Sequence, residues 1–226
     1  MADQKVSNER KKELEQMDPF QENLIKSIAF VKTYKKQLGL IIGGVVLIVA
    51  VFSAIMYSFE RAENTASALL SQALESYTNE KDPQKGYDRV KDQFAVLFKD
   101  YTNTIAGKQA RIEYAKICFN ASQFDQSYTY YSEALELFSR EALMENFILV
   151  SLGHVSLAKD DKKAAKKYFE RVKNSGTRLL KDEALFALAL IAESSGSPAE
   201  SKAAYEEIVS DFETSLYFPV AKSKVN

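Results

Sequence analysis

The sequence predicts an all-α protein in which one membrane-spanning helix precedes a solenoid of about four degenerate helix pairs. Three observations support this prediction. Residues 39–59 form an apolar run without a single charged residue. The chain after this run carries a helical pattern of apolar residues that recurs every 36 to 38 positions. No stretch alternates apolar and polar residues for long enough to indicate a β-strand.

The apolar run is long enough to cross a bilayer. At about 1.5 Å per helical residue it spans roughly 30 Å, the thickness of the hydrocarbon core. A cleaved signal peptide is the competing interpretation, but its apolar core usually has about 7–15 residues and ends at a small-x-small site. This run begins after 38 residues and ends at Tyr57, Phe59 and Glu60. The sequence therefore favours an uncleaved anchor.

Basic residues flank the run on one side. Only Arg61 follows it before Lys81, whereas four lysines precede it closely: Lys26, Lys32, Lys35 and Lys36. Because basic flanks stay in the cytoplasm, we expect a cytoplasmic amino terminus and a translocated carboxyl-terminal part.

Small residues recur at helical spacing within the span. Gly39 with Gly43, and Ala50 with Ala54, form two small-xxx-small pairs, which let two helix backbones approach closely. A homo-oligomer formed through the span is one interpretation. The other is that glycine and alanine are common in any membrane helix.

The segment before the span predicts an amphipathic helix. Asp18-Pro19-x-Gln21 has the N-cap, first-turn proline and N3 glutamine of a capping box. Apolar residues follow at helical spacing: Phe20, Leu24, Ile28 and Val31. Such a helix suits the membrane surface or a membrane partner.

The composition of the part after the span restricts its function. From Glu60 onward, 22 lysines and arginines stand against 25 aspartates and glutamates, a formal charge of −3. Nucleic acid needs a concentrated basic face, which this balance does not support. The single cysteine, Cys118, permits no internal disulfide and falls in a helical apolar pattern, so we expect a buried core residue.

The repeats carry the predicted fold. Each has an apolar or small residue, an aromatic four positions later and an apolar or small residue three after that: Val90, Phe94 and Leu97; Ser127, Tyr131 and Ala134; Ala165, Phe169 and Val172; Ser201, Tyr205 and Ile208. A helix end at Gly176 followed by a helix start at Thr177 is predicted, with another helix end at Gly196 and further helix starts at Asp160-Asp161 and Ser197-Pro198.

These residues resemble the tetratricopeptide repeat over about residues 62–213. The third unit fits its Leu-Gly…Ala…Phe spacing best, with Leu152-Gly153, Ala165 and Phe169. A cytoplasmic helix, one span and degenerate repeats together are similar to a bacterial family of single-span periplasmic tetratricopeptide proteins, which includes an ancillary subunit of the Sec translocon. The resemblance implies an inner-membrane adaptor between the translocon and exported proteins or periplasmic chaperones. A structural scaffold for a cell-division or cell-wall complex is the alternative.

No catalytic motif or cofactor site is predicted. Phosphate-binding loops, nucleophile elbows and dinucleotide-binding turns are all missing from the sequence. His154 and Cys118 are each the only residue of their kind, so no zinc site of such ligands can form. The lysines at 162, 163, 166 and 167 suit a solvated helix face. Lipid headgroups are the alternative if that helix faces a membrane.

The first helix of each predicted pair supplies the candidate protein-binding groove. The register places nine residues on it: Ile112, Lys116, Phe119, Phe147, Val150, His154, Phe186, Leu190 and Glu193. A mostly apolar and aromatic groove suits an amphipathic helix or an unfolded apolar segment. The alternative is that several of these residues are core.

The sequence thus divides the chain into four parts. These are a charged cytoplasmic tail (1–17), a juxtamembrane helix (18–37), a transmembrane helix (38–59) and a repeat domain (60–226).

Overall fold

The computed structural model describes residues 19–225, and within this range it contains helices and no strand. In chain order the helices are α1 (Pro19–Thr78), α2 (Pro83–Asp100), α3 (Ile105–Asn120), α4 (Phe124–Leu137), α5 (Ala142–Ala158), α6 (Lys162–Lys173), α7 (Lys181–Ser194), α8 (Pro198–Asp211) and α9 (Phe218–Val225). The predicted all-α fold is confirmed.

Helix α1 contains the predicted juxtamembrane and membrane-spanning segments. Its φ and ψ angles leave the helical range at Tyr34, near the end of the predicted juxtamembrane segment. An 18-residue window of this helix has a mean hydropathy of 2.8 and no buried residue, so by length and composition it could cross a membrane. The predicted tail 1–17 and N-cap Asp18 lie outside the described residues.

The chain divides into two compact units between Ser58 and Phe59. In the first unit, a Cβ atom added at Gly39 or Gly43 would meet nothing within 4 Å. Pairing of two chains through these glycines stays a prediction.

The second unit is a solenoid of stacked helix pairs. The carboxyl-terminal part of α1 pairs with α2, and the next pairs are α3–α4, α5–α6 and α7–α8, with α9 covering the last. We call α3, α5 and α7 the first helices of their pairs. All twelve repeat residues named above are buried, and all of them except Ser127 and Ser201 belong to four successive hydrophobic core clusters along the chain. Each pair packs mainly on its neighbours, as expected of a repeat protein.

Side chains cap several of these helices. The Asp82 carboxylate accepts from the amides of Gln84 and Lys85 at the start of α2, and Asp161 accepts from Ala164 at the start of α6. The predicted start at Asp160-Asp161 is therefore confirmed. Gly196 has a φ of +71° between α7 and α8, which suits the predicted helix end.

The predicted helix start at Thr177 is wrong, because α7 begins at Lys181. The Asn146 side-chain amide donates to Ser175 Oγ at 2.9 Å and to the Leu179 carbonyl at 2.8 Å. These bonds hold the preceding loop to α5 in a non-helical conformation. A capping rule that considers only residues near the helix end cannot predict such a long-range contact.

Candidate protein-binding site

The structure divides the nine predicted groove residues by burial. Ile112 and Val150 are buried, each with 5% of its surface exposed. Three are half-buried, namely Phe119, His154 and Phe186, and four are exposed, namely Lys116, Phe147, Leu190 and Glu193. The expected exposure of Ile112 and Val150 is therefore corrected.

One register position accounts for both corrections. Ile112, Val150 and Phe186 occupy equivalent places in successive first helices, 38 and 36 residues apart. Ile112 belongs to a core cluster with α5, and Val150 to one with α7. Because each of these two side chains lies between consecutive first helices, it cannot reach the surface.

Only the short helix α9 follows in the next repeat position after α7, so Phe186 packs differently. Its ring stacks on Tyr217, with 4.6 Å between ring centroids, and meets Tyr205 at 6.1 Å in an edge arrangement. Tyr217 lies in the segment before α9. These contacts leave Phe186 half-buried, with part of its ring available to a pocket.

A pocket of about 410 Å³ brings three of the predicted residues together. His154 of α5 and Phe186 and Leu190 of α7 line it, with Tyr217 beside them. The remaining wall is largely apolar and includes Leu157, Ala187 and Ile191. The pocket lies between two neighbouring first helices, α5 and α7.

The polar pair His154–Glu183 lies in this largely apolar wall, which Lys162 and Ser194 also line. His154 Nε2 lies 2.8 Å from Glu183 Oε1, and the imidazole meets the Phe169 ring edge-on with centroids 5.3 Å apart. The pair holds the imidazole at one point of the pocket, where a polar group of a bound chain can meet it. The sequence missed Glu183, although it lies one helical turn before Phe186.

Other predicted groove residues lie apart from this pocket. The Phe119 ring packs within its own helix pair, 5.6 Å from the Phe124 ring. Glu193 forms an ion pair with Lys224 of α9 at 2.8 Å and lines a separate, more polar cavity. Phe147, 39% exposed, and Lys116 lie on the surfaces of α5 and α3.

The lysine cluster of α6 faces the next helix pair. Lys166 pairs with Glu200 at 2.7 Å, and Lys162 donates to Ser194 Oγ at 3.2 Å. These bonds support the interpretation of a solvated helix face. Among residues 19–225, no three His, Cys, Asp or Glu side chains come together in a way that could hold a metal ion.

Comparison with known families agrees with this architecture. A family model described as a tetratricopeptide repeat-like domain matches residues 29–226, a range that includes the apolar run as well as the helix pairs. No significant match was found among curated protein sequences. Repeats of this kind present extended surfaces for binding other proteins. Because this match covers most of the chain, the chain belongs to the tetratricopeptide repeat-like domain family.

Proposed function

We propose that this protein is a membrane-anchored adaptor that binds other proteins at the pocket between α5 and α7. The observation that carries the proposal is this largely apolar pocket, lined by His154, Phe186 and Leu190. Its volume falls in the range of about 300–1,000 Å³ that is usual for binding sites. We assign no reaction to this pocket.

The pocket suits an apolar side chain presented by a helix or an extended segment. An amphipathic helix docks by placing apolar residues into such a groove. Leu190, which is 46% exposed, forms part of the apolar floor. The His154–Glu183 pair would meet a polar group of the bound chain. Specificity would then come from one polar contact beside a larger apolar one.

The anchor determines where this binding takes place. We assign residues 38–59 as the span, residues 18–37 as the juxtamembrane helix and residues 60–226 as the repeat domain. The four lysines before the span and the single Arg61 after it support a cytoplasmic amino terminus. The repeat domain then lies in the periplasm of a bacterial cell, attached to the inner membrane.

We further propose that the partners are exported chains or periplasmic chaperones near the Sec translocon. A tethered repeat domain with an apolar pocket would meet newly exported chains while their apolar segments are still exposed. The similarity of the whole layout to the translocon-associated family supports this partner class. A fixed scaffold role in a cell-division or cell-wall complex is the competing function.

Photo-crosslinking in living cells tests the proposal. A photoreactive amino acid at Leu190 reports on the pocket, and the same amino acid at Val96 of α2 is the control. Val96 is a matched position because it is 43% exposed and lies on a second helix. We expect Leu190 to capture translocon subunits, exported proteins or chaperones, and Val96 to capture none. Capture of one division or cell-wall component would favour the scaffold, and equal capture at both positions would contradict the pocket.

A further inference from the structure

Four exposed aliphatic side chains occupy the same register position along the solenoid. Ile105, Leu143, Leu179 and Leu216 are separated by 38, 36 and 37 residues, which is the repeat period. We call these four residues the aliphatic ladder. Their exposed fractions are 72%, 59%, 43% and 90%, and three of them are the most exposed large apolar side chains in residues 60–225. Single exposed apolar side chains are ordinary on a protein surface, but a row of them at one register position of successive repeats is a candidate contact surface.

Hydrogen bonds place the ladder on one edge of the repeat domain. The Leu179 carbonyl accepts from Asn146 of α5, which lies three residues after Leu143. Asp182, in the first turn of α7, accepts from Ser215, the neighbour of Leu216. Helix α4 packs against both α3 and α5 as the middle of three consecutive helices. The amino ends of successive first helices therefore lie side by side.

This edge is where the polypeptide enters the repeat domain. The backbone amides of Ile105 and Ala106 donate to the Glu63 carboxylate, at 2.6 and 2.9 Å. Glu63 follows Phe59, the last residue of the apolar run, by four residues. Four helical residues rise about 6 Å. Chain connectivity thus puts the Ile105 end of the edge within about one helical turn of the point where the chain leaves the bilayer.

We propose that the aliphatic ladder inserts into the interfacial region of the lipid bilayer and holds this edge of the repeat domain on the membrane. Isolated aliphatic tips at a membrane surface gain free energy by leaving water, as the apolar face of an interfacial helix does. The edge carries charges of both signs near the ladder, among them Arg140, Glu141, Arg178 and Asp182. Binding therefore rests on apolar contact and does not require anionic lipid.

Depth-dependent fluorescence quenching tests the proposal on the full chain. The chain is reconstituted in phosphatidylcholine vesicles that contain a lipid-attached nitroxide, with a fluorophore on one introduced cysteine. Leu143→Cys and Leu179→Cys probe the ladder. Ala158→Cys and Ser194→Cys are the matched controls, because they are exposed at the opposite ends of α5 and α7. Cys118 is buried, so the unsubstituted chain supplies the labelling blank.

We expect several-fold stronger quenching at the two ladder positions than at their controls. Equal quenching at both ends of each helix would overturn the proposal, since the edge would then face water or a protein. Quenching at Ile105→Cys but not at Leu143→Cys or Leu179→Cys would also overturn it. Ile105 would lie near the bilayer through chain connectivity alone, without insertion of the ladder. A fluorophore at Ile48→Cys reports the span, and its failure to be quenched would reject the anchor and the ladder together.

Discussion

In this protein, the helix of the next repeat determines whether a residue on a first helix is buried or exposed. Ile112, Val150 and Phe186 share a register position, yet the first two are core and the third is part of a pocket. Sequence register correctly placed all three on the first helices. It could not distinguish them, because burial depends on whether another first helix follows. Only at the end of the repeats does this position become available for binding.

Cys118 shows the same dependence on packing. It is fully buried, and its Sγ lies 3.7 Å from Gln126 Oε1. Burial raises the pKa of the Cys118 thiol from its ordinary value of 9.0 to about 12. Since the thiolate is the reactive form, we expect a thiol-reactive dye to modify the native protein at pH 8 far more slowly than the urea-unfolded protein. Equal rates in the two states would contradict this burial.

The same shift predicts how stability depends on pH. Between about pH 9 and pH 12 the unfolded chain loses the thiol proton while the native chain keeps it. The free energy of unfolding should therefore be highest below pH 9 and fall as the pH rises above it. Burial also raises the pKa values of Tyr114 and Tyr131, so they add to the decline. Urea unfolding at successive pH values measures the slope, and Cys118→Ala should make it shallower.

At the scale of the helical element, close approach within a pair depends on small residues. A Cβ atom added at Gly153 of α5 would lie 2.5 to 2.8 Å from three atoms of the Phe169 ring of α6. The ring is fully buried and has little room to move. The sequence predicted this packing, since Leu152-Gly153 and Phe169 stand at the spacing of the repeat.

Gly153→Ala should therefore destabilise the protein despite the better helix propensity of alanine. We expect a loss of about 1–3 kcal/mol in the free energy of unfolding, as for other overpacked cores. Gly176→Ala is the matched control, because an added Cβ there meets nothing within 4 Å. Its effect should stay within about 0.5 kcal/mol. Equal unfolding midpoints in urea for the two variants would show that α5 and α6 pack less closely than described.

Helices inside the repeats could be predicted from the sequence, and the segments outside them could not. The repeat period indicates the helices α2 through α8, and capping residues locate the starts of α6 and α8, because each of these signals is local or repeated. No local or repeated signal marks Tyr217, yet it lines the pocket. The loop before α7 was also missed, because Asn146 fixes it from 29 residues away in sequence. Long-range contacts of this kind produce no periodic pattern in the sequence.

At the scale of the whole molecule, we propose a repeat domain that one helix holds at a membrane. Its topology is a separate prediction, which rests on the lysines before the span. A reporter that is active only after export, fused at the carboxyl terminus, should be active. The same reporter fused directly after residue 37, before the span, should be inactive. Activity of a cytoplasm-only reporter at the carboxyl terminus would reverse the assigned orientation.

We propose that partner proteins bind at the pocket between α5 and α7, and a pair of variants tests this proposal. Leu190→Glu places a charge in the apolar pocket, whereas Val96→Glu places one on a similarly exposed site of α2. Because both side chains are partly exposed, the two variants should unfold at nearly the same temperature. Their binding should differ, since a carboxylate in an apolar contact loses its hydration.

The most direct test places a photoreactive amino acid at Phe147 and measures in cells how much partner protein it crosslinks. This crosslinking yield is compared between the two variants. Phe147 is exposed on α5 outside the pocket lining, so it reports on a partner that spans the first helices. We predict that Leu190→Glu lowers this yield about tenfold or more, equivalent to about 1.4 kcal/mol of binding free energy, while Val96→Glu leaves it unchanged. An unchanged yield in Leu190→Glu, with the protein folded and inserted, would contradict the account.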